Sequence, residues 1–208
     1  MKNRIILLLS VILTTMISCR TQSVKEVDIC IYGGTSAGVI AAYTAQQSGK
    51  SVLLIEPGRH LGGMSSGGLG FTDIGNKYVV QGLALDFYRR LGTHYGKLEQ
   101  WIFEPSVAET IFKDYIKRAG IEVWYENRLS DVEKQRNSIT TITLEDSKHP
   151  NHTTNRKVRA KVFIDCSYEG DLMAKSGVSY IVGREANSQY GETYNGVELM
   201  DRHQFPDG

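Results

Sequence analysis

An α/β fold, built on a parallel sheet with an antiparallel β-meander inserted before the last parallel strand, is predicted from three observations. Two short apolar runs, residues 27–32 and 51–56, flank a segment of small residues, 36–47, so strand, helix and strand follow one another over about thirty residues. Both runs lack polar alternation, the pattern of strands covered on both faces. Three further short segments, 129–134, 139–144 and 157–159, separated by polar turns at Arg136-Asn137 and around Pro150-Asn151, read as the meander.

The elements follow in order. Lys2 and Arg4 precede an apolar run, 5–17, too short to span a bilayer as a helix but of the length of a signal-peptide core. The run closes on Met16-Ile17-Ser18-Cys19, which resembles a bacterial lipobox. That resemblance implies cleavage after residue 18, lipidation of Cys19, and a chain exported and held at a membrane through this anchor alone, in the periplasm or at the cell surface. An ordinary secretory signal with an incidental Cys19 is the alternative. Residues 19–26 read as a polar tether.

The strand at 27–32 stops at Gly33-Gly34, and the helix at 36–47, carried by Ala37, Ala41, Ala42 and Ala45, stops at Ser48-Gly49. Pro57-Gly58 ends the second strand. A glycine-rich stretch, 58–75, has no apolar period, and a helix is expected over 79–91. Pro105 suits the first position of another helix, with Val107, Ala108, Ile111, Phe112, Tyr115 and Ile116 as its buried face and Gly120 as its stop. A strand at 121–125, the meander, and a buried strand at 161–165 complete a domain over 27–184. From Glu185 the chain is polar and is expected to form no clear element, and 185–208 reads as the start of a further region.

Composition narrows the function. Of the 208 residues, 41% are hydrophobic and 23% charged, which excludes a disordered or collagen-like chain. Lys+Arg 24 against Asp+Glu 23 leaves +1, and the basic stretch 148–161 is interrupted by polar residues, so no nucleic-acid partner is expected. Beyond Cys19 only Cys30 and Cys166 remain, expected as buried, unreactive thiols, and no cysteine has metal-ligand spacing with a histidine. The glycines crowd between Gly33 and Gly82, where backbone freedom or close approach to a ligand is needed.

Gly33-Gly34-Thr35-Ser36-Ala37-Gly38 lies between strand and helix, where the dinucleotide fingerprint G-x-G-x-x-G belongs. Thr35 replaces the second glycine. Gly34 beside it is expected to allow the close approach, with the Thr35 or Ser36 hydroxyl free to donate to a phosphate. Glu56 ends the second strand about twenty residues on, where a carboxylate accepts both ribose hydroxyls and repels a 2′-phosphate, so NADP is disfavoured. FAD and NAD both fit this much, and a nucleotide-free α/β domain with a tight turn is the bland alternative.

The next segment, Arg59-His60-Leu61-Gly62-Gly63-Met64-Ser65, resembles that of the two-dinucleotide-fold flavoproteins related to glutathione reductase, in which a glycine doublet runs along the FAD. More closely, the chain resembles the FAD-dependent oxidoreductases of bacterial secreted and polysaccharide-related gene sets. Their pattern G-G-x-x-A-G matches residues 33–38, E-x-x-x-x-L-G-G-M matches Glu56 with Leu61 to Met64, W-x-F-E-P-x-V-A-E matches Trp101 to Glu109, and D-A-T-G-D-G-D corresponds to residues 165–171. The resemblance implies a Rossmann-like FAD-binding domain with Arg59, Gly62, Gly63, Met64, Ser65, Asp165, Cys166 and Ser167 joining residues 33–38 and Glu56 around FAD. Tyr168 departs from the pattern, standing where it has glycine.

His60 has two readings, a covalent flavin tether or a loop histidine facing solvent or phosphate, and Arg59 likewise a phosphate contact or a surface arginine. Residues 101–103 cover a substrate pocket or form an apolar strand edge. Tyr78, His94 and Tyr95 have no spacing that assigns them a role. The function expected is an FAD-dependent oxidoreductase taking a hydride from a small organic substrate, carbohydrate-related compounds among the candidates. An NAD-binding dehydrogenase and a non-catalytic surface protein on a degenerate flavin fold are the alternatives. The resembled flavoproteins add a substrate domain and a returning C-terminal segment. The chain is accordingly expected to be an N-terminal portion with an open, partly apolar groove, weak FAD binding and no turnover alone.

Overall fold

The computed structural model describes residues 24–150 and 156–193, so Cys19 and the apolar run before it, on which the export and lipidation expectations rest, lie outside the described residues. Two units are distinguished, one ending at Ser176 and one beginning at Gly177. The first holds a six-stranded sheet in the order β3-β2-β1-β6-β5-β4. Strands β1 (Val24–Tyr32), β2 (Val52–Glu56), β3 (Glu122–Tyr125) and β6 (Arg156–Asp165) run parallel, while β4 (Asn127–Gln135), β5 (Ser138–Asp146) and β6 form the antiparallel meander.

The apolar runs of β1 and β2 are continuous because each face meets a different core. Ile31 and Leu54 point to the layer of α1 (Ser36–Gln47) and α3 (Pro105–Ala119), where Val39, Ala42, Phe112 and Tyr115 are buried. Cys30, Tyr32, Leu53 and Ile55 pack on the opposite side with Leu129, Ile142 and Leu144 of the meander. Alternate side chains of one strand thus face two cores. Burial pushes the Cys30 thiol up to about 12, which keeps it protonated and inert.

Three expected boundaries are corrected. The strand begins at Val24, not 27, because Val24 to Val27 continue the ladder opposite Lys157 to Ala160, so part of the supposed tether belongs to the sheet. The segments 157–159 and 161–165 are one strand: the first half of β6 is shared between β1 and β5, the second pairs with β1. The expected helix at 79–91 is α2, Gly82–His94, since residues 77–79 form a separate 3₁₀ turn in which Asn76 accepts from the Tyr78 amide. Two short helices were not expected, α4 (Asp171–Lys175) and, within the second unit, α5 (Asn187–Tyr190), which closes on Gly191 in the left-handed region.

α3 behaves as its sequence predicts. Pro105 sits in its first turn, Gly120 closes it at φ +64°, and the buried face is Ala108, Ile111, Phe112, Tyr115, Ile116 and Ala119, with Val107 half-buried. Tyr115 donates to Asp86 of α2 (2.5 Å), and Arg90 donates to Asp86 (2.6 Å) and Asp114 (3.0 Å). The Arg90 guanidinium lies 4.6 Å from the centre of the Tyr115 ring. Partial burial works to raise the Asp86 carboxyl, but these donors win and hold it below its ordinary value.

Because that carboxyl is depressed, its contribution is present above the ordinary carboxylate range and is lost as pH falls through the folded value. Tyr115→Phe is therefore expected to cost about 1.5–3 kcal/mol at neutral pH, the range for a hydrogen bond to a charged group. Urea unfolding across pH should show the difference shrinking in acid.

Candidate functional site

β1, β2 and β6 end side by side. Tyr32 is opposite Ile55 on one side and Asp165 on the other, and the Cys166 amide continues the ladder by donating to the Tyr32 carbonyl (2.7 Å). The loops that follow converge on a crevice of about 350 Å³, lined by Gly33, Thr35, Glu56, Gly63, Ser167 and Tyr168 among others. This is the carboxyl edge of the sheet, where open α/β folds bind ligands.

The glycines there are sterically obligatory. Gly33 lies at φ +99°, and a Cβ on it would fall 2.6 Å from the Ser167 amide nitrogen. A Cβ on Gly38 would fall 1.9 Å from the Gly33 carbonyl oxygen, and one on Gly34 2.8 Å from the Glu56 carboxylate. Gly62 (φ +103°) would strike the Phe112 ring, and Gly63 (φ +56°) the Tyr168 hydroxyl at 2.1 Å. The Gly62 amide donates to the Gly34 carbonyl (2.8 Å), binding the two glycine loops together.

Glu56 is the polar centre of the crevice. One carboxylate oxygen accepts from the Gly34 amide (2.7 Å), the other from the Gly58 amide (2.6 Å). Each carboxylate oxygen has a second acceptor position, so a diol can still be bound. Gly58, read from the sequence only as the stop of the second strand, has a signal for this role in its place two residues after the acidic position.

Thr35 has a different role from the one expected. It caps α1, accepting from the Gly38 amide (3.3 Å), and its hydroxyl donates to the Cys166 carbonyl (2.9 Å). That hydroxyl is spent and is not free to donate to a phosphate. The Ser36 and Ala37 amides, in the first turn, have no carbonyl of the helix within reach. Both residues, with Ser65, Leu83, Phe87 and Tyr88, line a second, apolar cavity of about 320 Å³. The Trp101 ring stacks on Tyr88 at 4.0 Å and Phe103 is buried in the α-helical core, so residues 101–103 support this wall from behind, while Leu69, Phe71, Tyr78 and Ile102 stay exposed.

The third loop is ordered by its own side chains. Asp165 accepts from the Ser167 amide (3.0 Å) and hydroxyl (2.7 Å) and from the Met173 amide (2.9 Å), and the Ser167 oxygen accepts from Gly170 (3.1 Å) and Asp171 (3.2 Å). Asp165 and Cys166 therefore shape the crevice without lining it; Ser167 lines it. Burial raises the Cys166 thiol, with the Asp165 charge adding to it. Arg59 and His60 stand on the rim, Arg59 paired with Glu126 and His60 3.1 Å from Glu109. His94 stacks edge-on against Tyr95, whose hydroxyl accepts from the Glu104 amide (2.9 Å), and Tyr78 is exposed.

A family model described as FAD dependent oxidoreductase matches residues 28–205, which include every residue of this site. The chain belongs to that family. FAD is its cofactor, and the residues present fit it: a crevice whose walls a Cβ would fill, and a carboxylate at its mouth with acceptor positions open. The chain is also similar to the thiamine thiazole synthases of Pyrococcus horikoshii, 25% identical over 156 residues, and Pyrococcus abyssi, 27% over 157. Each match covers 72% of this chain, which spans 60% of those relatives' length. Among solved structures, Thermovibrio ammonificans THI4 superposes with a TM-score of 0.55 at 22% identity, over 87% of this chain and 74% of that one. The L-proline dehydrogenase of P. horikoshii superposes at 0.57 and 13%, over 78% and 59%. These two likenesses concern the fold.

Gly38→Ala tests the packing. Helix propensity alone favours alanine by about 1 kcal/mol, whereas contact with a fixed backbone carbonyl costs about 3 kcal/mol. Chemical unfolding should show a net loss of about 2 kcal/mol or more, while Gly75→Ala, with open space around it, stays within about 0.5 kcal/mol of the parent.

Proposed function

We propose that the crevice binds FAD with its adenosine ribose on Glu56 and its pyrophosphate over residues 33–38, in a protein that oxidises a small organic substrate by hydride transfer to the flavin. The observation that carries this is the Glu56 carboxylate, oriented by two backbone amides at the mouth of the glycine loop with one acceptor position left on each oxygen. Ala37 supplies an amide donor, and the first turn the positive end of a 12-residue helix, to the pyrophosphate. Gly62, Gly63, Met64 and Ser65 form the floor from the crevice toward the apolar cavity, where Phe87, Tyr88 and Phe112 exclude water. Bound FAD supplies the hydride acceptor. Ser167 closes the crevice from the β6 side, and Arg59 on the rim adds positive charge near the phosphates when it leaves Glu126.

Carbohydrate-related compounds remain the substrate class this reading favours, on the motif resemblance of residues 33–38, 56–64, 101–109 and 165–171. Export and anchoring at Cys19 belong to the same proposal and rest on residues 2–19. Among the described residues no helix is long and apolar enough to cross a membrane.

Titrating the purified chain with FAD, followed by flavin fluorescence, tests the proposal. Glu56→Ala removes two charge-assisted bonds to the ribose and is expected to weaken binding about 100-fold, or about 3 kcal/mol. NAD binding with no FAD binding would replace this reading with the dehydrogenase one.

A further inference from the structure

Tyr168 reaches from the loop after β6 to the other side of the crevice. Its backbone follows Ser167, whose amide sits against Gly33, and its hydroxyl accepts from the Met64 amide at 2.7 Å. The Gly63 α-carbon lies so close to that hydroxyl that a Cβ would be only 2.1 Å away, and the same Cβ would be 3.2 Å from Thr35. The phenol is therefore seated on Gly63, above the glycine loop. Its own loop is held by the Asp165 and Ser167 bonds, so the side chain can move while the backbone stays. Tyr168 is 55% exposed, and little buried apolar contact opposes that movement.

We infer that Tyr168 is a clasp that positions the cofactor: it opens for the dinucleotide to enter and closes over its narrow middle. This rests on the assignment of FAD to the crevice. FAD carries a ring system at each end of a thin pyrophosphate and ribityl stretch. The phenol spans the crevice from the Ser167–Gly33 contact to Gly63, across the path assigned to the pyrophosphate, and neither ring system passes it without breaking the bond to Met64. The clasp selects extended dinucleotides by shape, and it slows arrival and departure alike.

Stopped-flow mixing of the full chain with FAD measures association, and dilution of the complex measures dissociation. Tyr168→Phe keeps the ring and loses the hydrogen bond, and is expected to raise both rates about five-fold, the effect of one ordinary hydrogen bond, with Kd nearly unchanged. Tyr168→Gly, which removes the bridge, should raise both by more than about ten-fold on the same scale. Amide hydrogen exchange in the FAD-free chain supplies an independent readout: Met64 should lose protection in Tyr168→Phe while the β1 amides keep theirs. Unchanged rates, or faster dissociation without faster association, would overturn the clasp and leave the FAD assignment standing. Unchanged Met64 exchange would also overturn it. A parent chain that takes up no FAD would overturn the assignment and the clasp with it.

Discussion

The parallel ladder between β1 and β6 is the constraint on which the site depends. In its register Tyr32 faces Asp165, and one further bond, from the Cys166 amide to the Tyr32 carbonyl, carries the pairing past the strand ends. Residues about 130 positions apart in sequence are thereby brought within contact distance. The Ser167 amide is set against Gly33, the Cys166 carbonyl against the Thr35 hydroxyl, and the Cys166 side chain close to Gly38. A slip of one residue would exchange the two faces of β6 and remove each of these contacts.

Around that ladder, small residues and one carboxylate divide the work. Gly33, Gly34 and Gly38 let backbone approach backbone at distances no Cβ permits, and the Glu56 carboxylate uses the space left beside Gly34. Thr35 explains how a fingerprint lacking its second glycine still builds the turn. The side chain caps α1 and ties the turn to the β6 loop through its hydroxyl, while its Cβ forms part of the crevice wall opposite Gly63. The crevice beside Glu56 and the cavity walled by Phe87, Tyr88 and Phe112 are both lined by residues at the start of α1, Thr35 in the first and Ser36 and Ala37 in the second.

The meander does more than cover the sheet. Tyr32, the last residue of β1, is buried among Leu129, Ile142 and Leu144, and its hydroxyl accepts from the Leu129 amide at 3.2 Å. Burial pushes that phenol up to about 12. The strand that carries the glycine loop is thus fixed from the meander side as well as by α1 and α3, and a rigid support is what a site built on loop backbones requires.

Residues 27–56 by themselves determined the strand, helix and strand unit, the turn at Gly33 and the carboxylate at its far end, because these depend on local apolar runs, helix stops and spacing. The face of α3 was equally legible, from Pro105 to Gly120. Local pattern could not show that 157–165 is one strand, since the polar residues that seem to divide it alternate toward solvent while the backbone ladder continues. Nor could it show that the Thr35 hydroxyl is spent on Cys166, or that Tyr168 spans to Met64. Those are contacts between segments remote in sequence, and only the register of β6 against β1, which tertiary packing selects, decides which side chains meet across the crevice.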